Sequence, residues 1–276
     1  MGEPVSVRRD GARAAARLFV SAGVSVAAVI VSYHTGGVLW DCLDAVAGEV
    51  DCIVVVDNGN PAEVVARLER DVRVRLVRAP GNVGFAWGCR LGVEVTDAKH
   101  LFFLNPDAVV KPGCTARLVK VIAEKAVPAI VGARLVDENR TELRGSRRRV
   151  PTPWTLLRGL NLHREPLPAS PIRVGAVSGA AMLMRRADWE ALGGFDAGYF
   201  LHVEDLEICR RANNCWFVPD AEVVHPGASS DVAGWVVETH KAMGWKRYWV
   251  SHYPWLGRLV WPAMSLALRR RRRPLE

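Results

Sequence analysis

Nowhere in this 276-residue chain do two cysteines form a C-x-x-C pair. The six present, Cys42, Cys52, Cys89, Cys114, Cys209 and Cys215, are scattered, which signals neither a zinc site nor a disulfide framework and reads as buried, reduced thiols in a cytoplasmic protein. Uninterrupted apolar runs are also short: beyond the N-terminus none reaches the roughly 20 residues a helix needs to cross a bilayer. The glycine-rich stretch Gly81-Asn82-Val83-Gly84-Phe85-Ala86-Trp87-Gly88 does not fit G-x-G-x-x-G, and no G-x-x-x-x-G-K-[ST] occurs, which disfavours dinucleotide oxidoreductases and P-loop enzymes. Internal repeats are missing too.

What is there is apolar and basic. Half of the residues are apolar, enough for a sizeable core and against disorder. The net charge of +8 points to a partner carrying negative charge: nucleic acid, an anionic membrane surface or a phosphorylated substrate. Arg147 to Arg149 and Arg269 to Arg273 favour nucleic acid by charge alone, and with no recognised nucleic-acid motif beside them none is expected as a partner. Arg8, Arg9, Arg13 and Arg17 precede the apolar stretch Leu18 to Val31, which imitates a secretory signal. No small-residue cleavage site follows, however, and the stretch runs on into Ser32-Tyr33-His34-Thr35-Gly36-Gly37, a strand followed by a turn and a helix start.

From Val24 the chain alternates. Strands are predicted at Val26 to Tyr33, Cys52 to Val56, Val72 to Val77 and His100 to Leu104; helices at Val38 to Ala47, Ala62 to Arg70, Phe85 to Val95 and within Gly113 to Lys125. Such alternation implies an α/β fold with a parallel sheet and ligands at the carboxyl ends of its strands. Between Gly145 and Pro171 the arginines and prolines suit an irregular loop. After it come Val174 to Arg185, a turn at Gly193-Gly194-Phe195-Asp196, a helix near Glu204 to Arg211 and a strand ending at His225. The predicted division is a basic extension over 1–23, an α/β domain over 24–230 whose two halves are about 24–135 and about 172–230, and a helical, aromatic and basic extension over 231–276.

Three neighbouring strand ends carry polar groups: Val31-Ser32-Tyr33, Val56-Asp57-Asn58 and Leu104-Asn105-Pro106-Asp107. One such Asp is an ordinary turn former, whereas three together suit a pocket. Further along stand Val177-Ser178-Gly179-Ala180-Ala181-Met182, Gly193-Gly194-Phe195-Asp196, Phe200-Leu201-His202-Val203-Glu204-Asp205, and Val218-Pro219-Asp220-Ala221 with His225. With Asn82-Val83-Gly84-Phe85-Ala86, this ordered set resembles family 2 glycosyltransferases of the GT-A fold, particularly the rhamnosyltransferase-like branch. The likeness spans about Val24 to Ser230, order and spacing carry it, and it implies a glycosyltransferase domain over 24–230 with a donor half about 24–135 and an acceptor half about 172–230.

The resemblance implies a Rossmann-like, mostly parallel central sheet flanked by helices, and a metal-dependent, inverting transfer of a sugar. The donor would be a dTDP- or UDP-linked sugar, rhamnose by branch; the acceptor a hydroxyl of a glycan or lipid-linked saccharide in cell-envelope or polysaccharide synthesis. Asp57 would accept the pyrimidine N–H, with Ser32 and Tyr33 lining the base pocket; its other reading is a cap for the turn Asn58-Gly59-Asn60-Pro61. Asn82 and Gly84 would let backbone approach the ribose and diphosphate. Asp107 would hold Mg²⁺ or Mn²⁺, with His225 as second ligand or as a structural histidine. From the Glu204-Asp205 pair, Asp205 would be the general base and Glu204 would orient the acceptor; both also read as first-turn acids stabilising a helix dipole.

Several positions depart from the family pattern. Asn105 stands where D-x-D has its first Asp, His34 where Asn is usual, Pro226 follows His225, and Leu206 to Val218 is shorter by a few residues. The alternative readings are a non-catalytic nucleotide- or glycan-binding relative and a basic nucleic-acid-binding α/β protein. The C-terminal Trp245, Tyr248, Trp249, Tyr253, Trp255 and Trp261, ending in five arginines, suit peripheral attachment to the inner face of the cell membrane. They equally suit an aromatic helix packed on the catalytic domain.

Overall fold

A computed structural model describes residues 6–7, 25–157, 166–226 and 234–255. After a two-residue strand β1 (Ser6–Val7) come β2 (Val26–Ser32), α1 (Val38–Val46), β3 (Cys52–Asp57), α2 (Ala62–Arg70), β4 (Val74–Arg78), α3 (Phe85–Glu94) and β5 (His100–Leu104). Then follow β6 (Val109–Val110), α4 (Cys114–Ala123), β7 (Ile130–Val136), β8 (Arg147–Arg148), α5 (Pro153–Leu157), β9 (Ile172–Val174) and β10 (Ala176–Val177). The last elements are β11 (Ala181–Arg185), α6 (Arg186–Leu192), α7 (Glu204–Ala212), β12 (Cys215–Val224) and α8 (Gly234–His252).

Every residue of β2 is buried, because helices cover both faces of a central parallel strand and continuous Val, Ile and Ala then read as core. Helix α1 buries Leu39, Cys42, Leu43 and Val46, one face at helical spacing. Helix α3 lies unusually close to the sheet. A Cβ at Gly88 would stand 2.8 Å from Val31 and one at Gly92 2.6 Å from Val29, so two glycines one turn apart set that distance.

One sheet runs β1-β4-β3-β2-β5-β11-β7-β12-β6, with β9 on β12. Strands β4, β3, β2 and β5 are parallel, as expected. Strand β11 is antiparallel to both neighbours, β5 and β7, and β12 returns parallel to β7. Because β11 comes from the later part of the chain and enters between two earlier strands, the earlier and later parts of the chain share one continuous sheet. The stretch read as an irregular loop contains β8, paired antiparallel with β10, and the short α5. This pairing corrects the sequence reading. Arginine and proline content describes solvation and backbone breaks, and it misses a two-residue ladder closed by a distant strand.

Helix α8 packs through the aromatics read as a membrane surface. Tyr248 and Trp249 are buried, and Trp245 and Tyr253 pack against the core. The Tyr248 hydroxyl donates to the Pro151 carbonyl at 2.9 Å, Arg210 donates to the Tyr253 hydroxyl at 2.9 Å, and the His240 ring stacks on Phe200 at 4.1 Å. Among the described residues no helix is long and apolar enough to cross a membrane. Arg8, Arg9, Arg13, Arg17, Trp261 and Arg269 to Arg273 lie outside the described residues.

Candidate active site

Strands β2 and β3 end side by side, with Ser32 opposite Asp57. Asp57 Oδ1 accepts the N–H groups of Gly59 at 3.1 Å and Asn60 at 2.8 Å, and the Asn60 amide at 2.9 Å. That is the turn-capping arrangement, and it leaves Oδ2 for another donor. Ser32 is fully buried, and its hydroxyl meets Thr35 and Asn60, each at 3.1 Å. It therefore supports the turn from beneath. Tyr33 is half-buried, its ring 3.3 Å from where a Cβ on Gly59 would stand.

Asn82 and Asn58 hold the next loop. Asn58 donates its amide to Asn82 Oδ1 at 2.9 Å and accepts the Val83 N–H at 2.9 Å, while the Gly84 N–H reaches Asn82 Oδ1 at 3.1 Å. Gly84 has φ of +84°, left-handed backbone that glycine adopts without strain. A Cβ there would stand 2.5 Å from the Phe200 carbonyl oxygen, which accepts the Phe85 N–H at 2.7 Å. The close approach this glycine permits is to the segment before the acidic pair.

At the end of β5 three side chains meet. His225 Nε2 lies 3.1 Å from Asp107 Oδ1 and 3.1 Å from the Asn105 amide nitrogen. One ring nitrogen cannot both donate to the carboxylate and accept from the amide. With the amide donating, two lone-pair groups face each other, and a hard cation between carboxylate and imidazole reconciles them. Among the described residues no group of three or more His, Cys, Asp or Glu could hold a metal ion. Asp107 and His225 are the two side chains that would hold such an ion. A cleft of about 720 Å³ lined by Lys111, Arg134, Arg140 and Glu222 opens elsewhere and takes in none of these residues.

Glu204 and Asp205 open α7, after His202 and Val203 with φ of 65° and 74°. Helix α8 braces this strained turn: a Cβ on Gly244 would stand 2.9 Å from the His202 carbonyl oxygen. Asp205 Oδ1 accepts the Leu206 N–H at 2.7 Å, and Oδ2 accepts the Gly179 N–H at 3.1 Å and a guanidinium N–H of Arg148. Next along the chain from Gly179, the Ala180 carbonyl accepts the Asn105 N–H at 3.0 Å. The acidic pair and the Asp107–His225 pair are thus joined across two residues of backbone.

Burial pushes the Glu204 carboxyl up to about 8, with the Asp205 charge adding to it, and its Oε2 has no hydrogen-bond partner. Unfolded, the group titrates near its ordinary 4.5. Between those values the folded chain holds a proton that the unfolded chain releases, so stability falls as pH rises through the window. Glu204→Gln cannot ionise. It is expected to match the parent near pH 5 and melt roughly 5 °C higher at pH 8, and equal melting at both pH values in calorimetry would refute the burial argument.

Comparison with known proteins fits this geometry. Residues 27–192, more than half of the chain, match the model for glycosyl transferase family 2. The chain belongs to that family. An N-acetylglucosaminyl-diphospho-decaprenol L-rhamnosyltransferase of Mycobacterium tuberculosis is 27% identical over 226 residues, covering 69% of this chain and 72% of the relative. Rhamnosyltransferase WbbL of Escherichia coli is 26% identical over 139 residues, covering 47% of this chain and 53% of the relative. The mannosyltransferase PcManGT from Pyrobaculum calidifontis, solved with GDP-Man and Mn²⁺, superposes with a TM-score of 0.58 at 16% identity, over 88% of this chain and 67% of that one. GalNAc-T7, solved with UDP, GalNAc and Mn²⁺, gives 0.58 at 15% identity over 84% of this chain and 51% of that one, so this chain spans about half its length. These structural likenesses establish the GT-A fold of this glycosyltransferase.

Sequence reading missed one contributor and one role. Arg148, taken as part of a loop, reaches the acidic pair, and Phe200, quoted only as the first residue of its motif, carries the carbonyl that receives α3. For Arg148 the signal available was the direct neighbourhood of Arg147, Arg148 and Pro151, which says nothing of a partner 57 residues away.

Proposed function

We propose that this glycosyltransferase moves a hexosyl group, rhamnose by its relatives' names, from a dTDP- or UDP-linked donor to a hydroxyl of a lipid-linked saccharide or glycan, with inversion at the anomeric carbon. The observation that carries the reading is the two-residue link from Asp205 through Gly179 and Ala180 to Asn105. It ties the proposed proton acceptor to the strand end that carries Asp107, the proposed cation ligand. Asp57 Oδ2 accepts the pyrimidine N–H, Tyr33 flanks the base, and Asn82 holds the loop above the ribose. Asp107 and His225 hold Mg²⁺ or Mn²⁺, which when bound offsets charge on the departing nucleoside diphosphate. Asp205 takes the acceptor hydroxyl's proton as that oxygen bonds to the anomeric carbon and the bond to the diphosphate oxygen breaks. Glu204 supports the acceptor side. Incubating the protein with dTDP-rhamnose or UDP-sugars and a polyprenyl-diphosphate-linked saccharide, with and without chelator, tests this reading. Chelator-sensitive release of nucleoside diphosphate with a sugar-extended acceptor is expected, and donor binding without release would leave a binding protein.

We also propose peripheral membrane attachment through α8 and the residues after it. Trp235 (70% exposed), Met243 (60%) and Val250 (37%) lie eight and seven residues apart on α8, one face at about 100° per residue. Exposed Lys246 shares that face, and Trp255 follows at 84% exposure. Aromatic and apolar side chains beside cations suit the interface of an anionic bilayer, and each arginine of Arg269 to Arg273 near it contributes about 1 kcal/mol, less in salt. Flotation with anionic liposomes is expected to lose most of the bound protein on combined Trp235→Ser, Met243→Ser and Trp255→Ser. Undiminished flotation of that variant would remove α8 from the interface.

A further inference from the structure

Arg147 and Arg148 are adjacent in β8, so their side chains leave opposite faces, and they do different things. Arg147 is buried and held by Glu142 at 2.7 Å. Arg148 turns the other way: one of its nitrogens, Nη2, donates both to the Val177 carbonyl at 3.1 Å and to Asp205 Oδ2. The β8–β10 pairing puts Ala176 opposite Arg148, so the ladder that orients the guanidinium also carries one of its two acceptors.

A carboxylate offers about four lone-pair positions. On Asp205, Oδ2 is taken by Gly179 and Arg148, and Oδ1 by the Leu206 N–H. One position on Oδ1 is left, and it is the one a hydroxyl could use. Without Arg148 a position on Oδ2 opens as well, so the acceptor hydroxyl can approach either oxygen, and proton transfer depends on a fixed acceptor geometry. Resting on the assignment of Asp205 as general base, we propose that Arg148 is a positioning residue, which acts through Asp205 by committing Oδ2 and leaving Oδ1 as the only oxygen open to the acceptor hydroxyl.

The test is a double-mutant cycle of Arg148→Ala and Asp205→Asn in the full chain, read as transfer kcat and donor KM. Arg148→Ala is expected to lower kcat by about 10- to 100-fold and leave donor KM within about threefold, since none of its contacts reaches the base pocket. In the Asp205→Asn background the same change is expected to cost less than about threefold, because its target is already gone. Arg148→Lys should recover part of the loss, since one nitrogen makes both bonds. Equal loss in both backgrounds would overturn the proposal, as would a normal kcat for Arg148→Ala. Should Arg148→Ala not fold, Arg148→Gln replaces it in the cycle with the same outcomes. The underlying reading fails separately: near-normal transfer by Asp205→Asn removes the base itself, whatever Arg148 does.

Discussion

Asp205→Asn is expected to leave the nucleotide donor bound within a few-fold of the parent and to cut transfer by roughly 10²–10⁴-fold, the range for losing a positioned acid or base. The amide keeps the shape of the carboxylate and gives up its proton affinity. It also brings an NH₂ where both oxygens now accept hydrogen bonds, from Leu206 on one side and from Gly179 and Arg148 on the other. A local conflict therefore accompanies the chemical loss, and a thermal melt of the variant separates the two. If the carboxylate served only as a first-turn acid of α7, the change would cost about 0.3–1 kcal/mol through the helix dipole and leave turnover nearly intact. Donor affinity, melting temperature and transfer rate on one preparation distinguish these outcomes.

The parallel half of the sheet was legible because its strands are unbroken apolar runs: Val26 to Val31 and Ile53 to Val56 can only be core. Strand direction was not. Nothing in Ala181 to Arg185 says that it enters antiparallel between β5 and β7, since a buried strand has the same composition either way. Strand β7 escaped notice because Gly132 and Arg134 interrupt its apolar run. Gly132 is needed there: a Cβ would stand 2.3 Å from Val177. The aromatics of α8 misled for a related reason. They fall on several sides of the helix, so sequence alone could not separate Tyr248 and Trp249, which are buried, from Trp235 and Trp255, which are exposed.

Legibility of the site followed chain distance. Asp57 with Asn60, and Glu204 with Asp205, belong to local turns and could be read from neighbours. The contacts that unite them are long: Asn105 with His225 across 120 residues, Arg148 with Asp205 across 57 and Phe85 with Phe200 across 115. Only motif order pointed to the first, and nothing pointed to the second. Nor did sequence show what else holds Ser32 and Gly84, both expected at the ligand: the Ser32 hydroxyl is fully buried against Thr35 and Asn60, and Gly84 lies under the Phe200 carbonyl.

Asp107→Ala is expected to reduce metal-dependent turnover by at least about 10²–10³-fold, the equivalent of several kcal/mol of charge stabilisation in the transition state. Two protein groups face one another at 3.1 Å, and Asp107 is the only carboxylate of the pair. Mg²⁺ and Mn²⁺ prefer carboxylate and other hard oxygen donors, so an imidazole alone should hold either poorly. His225→Ala removes the softer donor and is expected to weaken turnover less. Asn105 cannot replace the lost charge of Asp107, since its side chain is a neutral amide whose nitrogen faces His225. Binding of Mn²⁺ with nucleoside diphosphate, followed by the loss of the free ion's electron paramagnetic signal, gives a readout independent of transfer. Both signals should fall together in Asp107→Ala. Raising Mn²⁺ should restore part of the turnover if affinity alone is lost, whereas undiminished transfer at low metal would show that the diphosphate is neutralised by other groups and that Asp107 serves the fold.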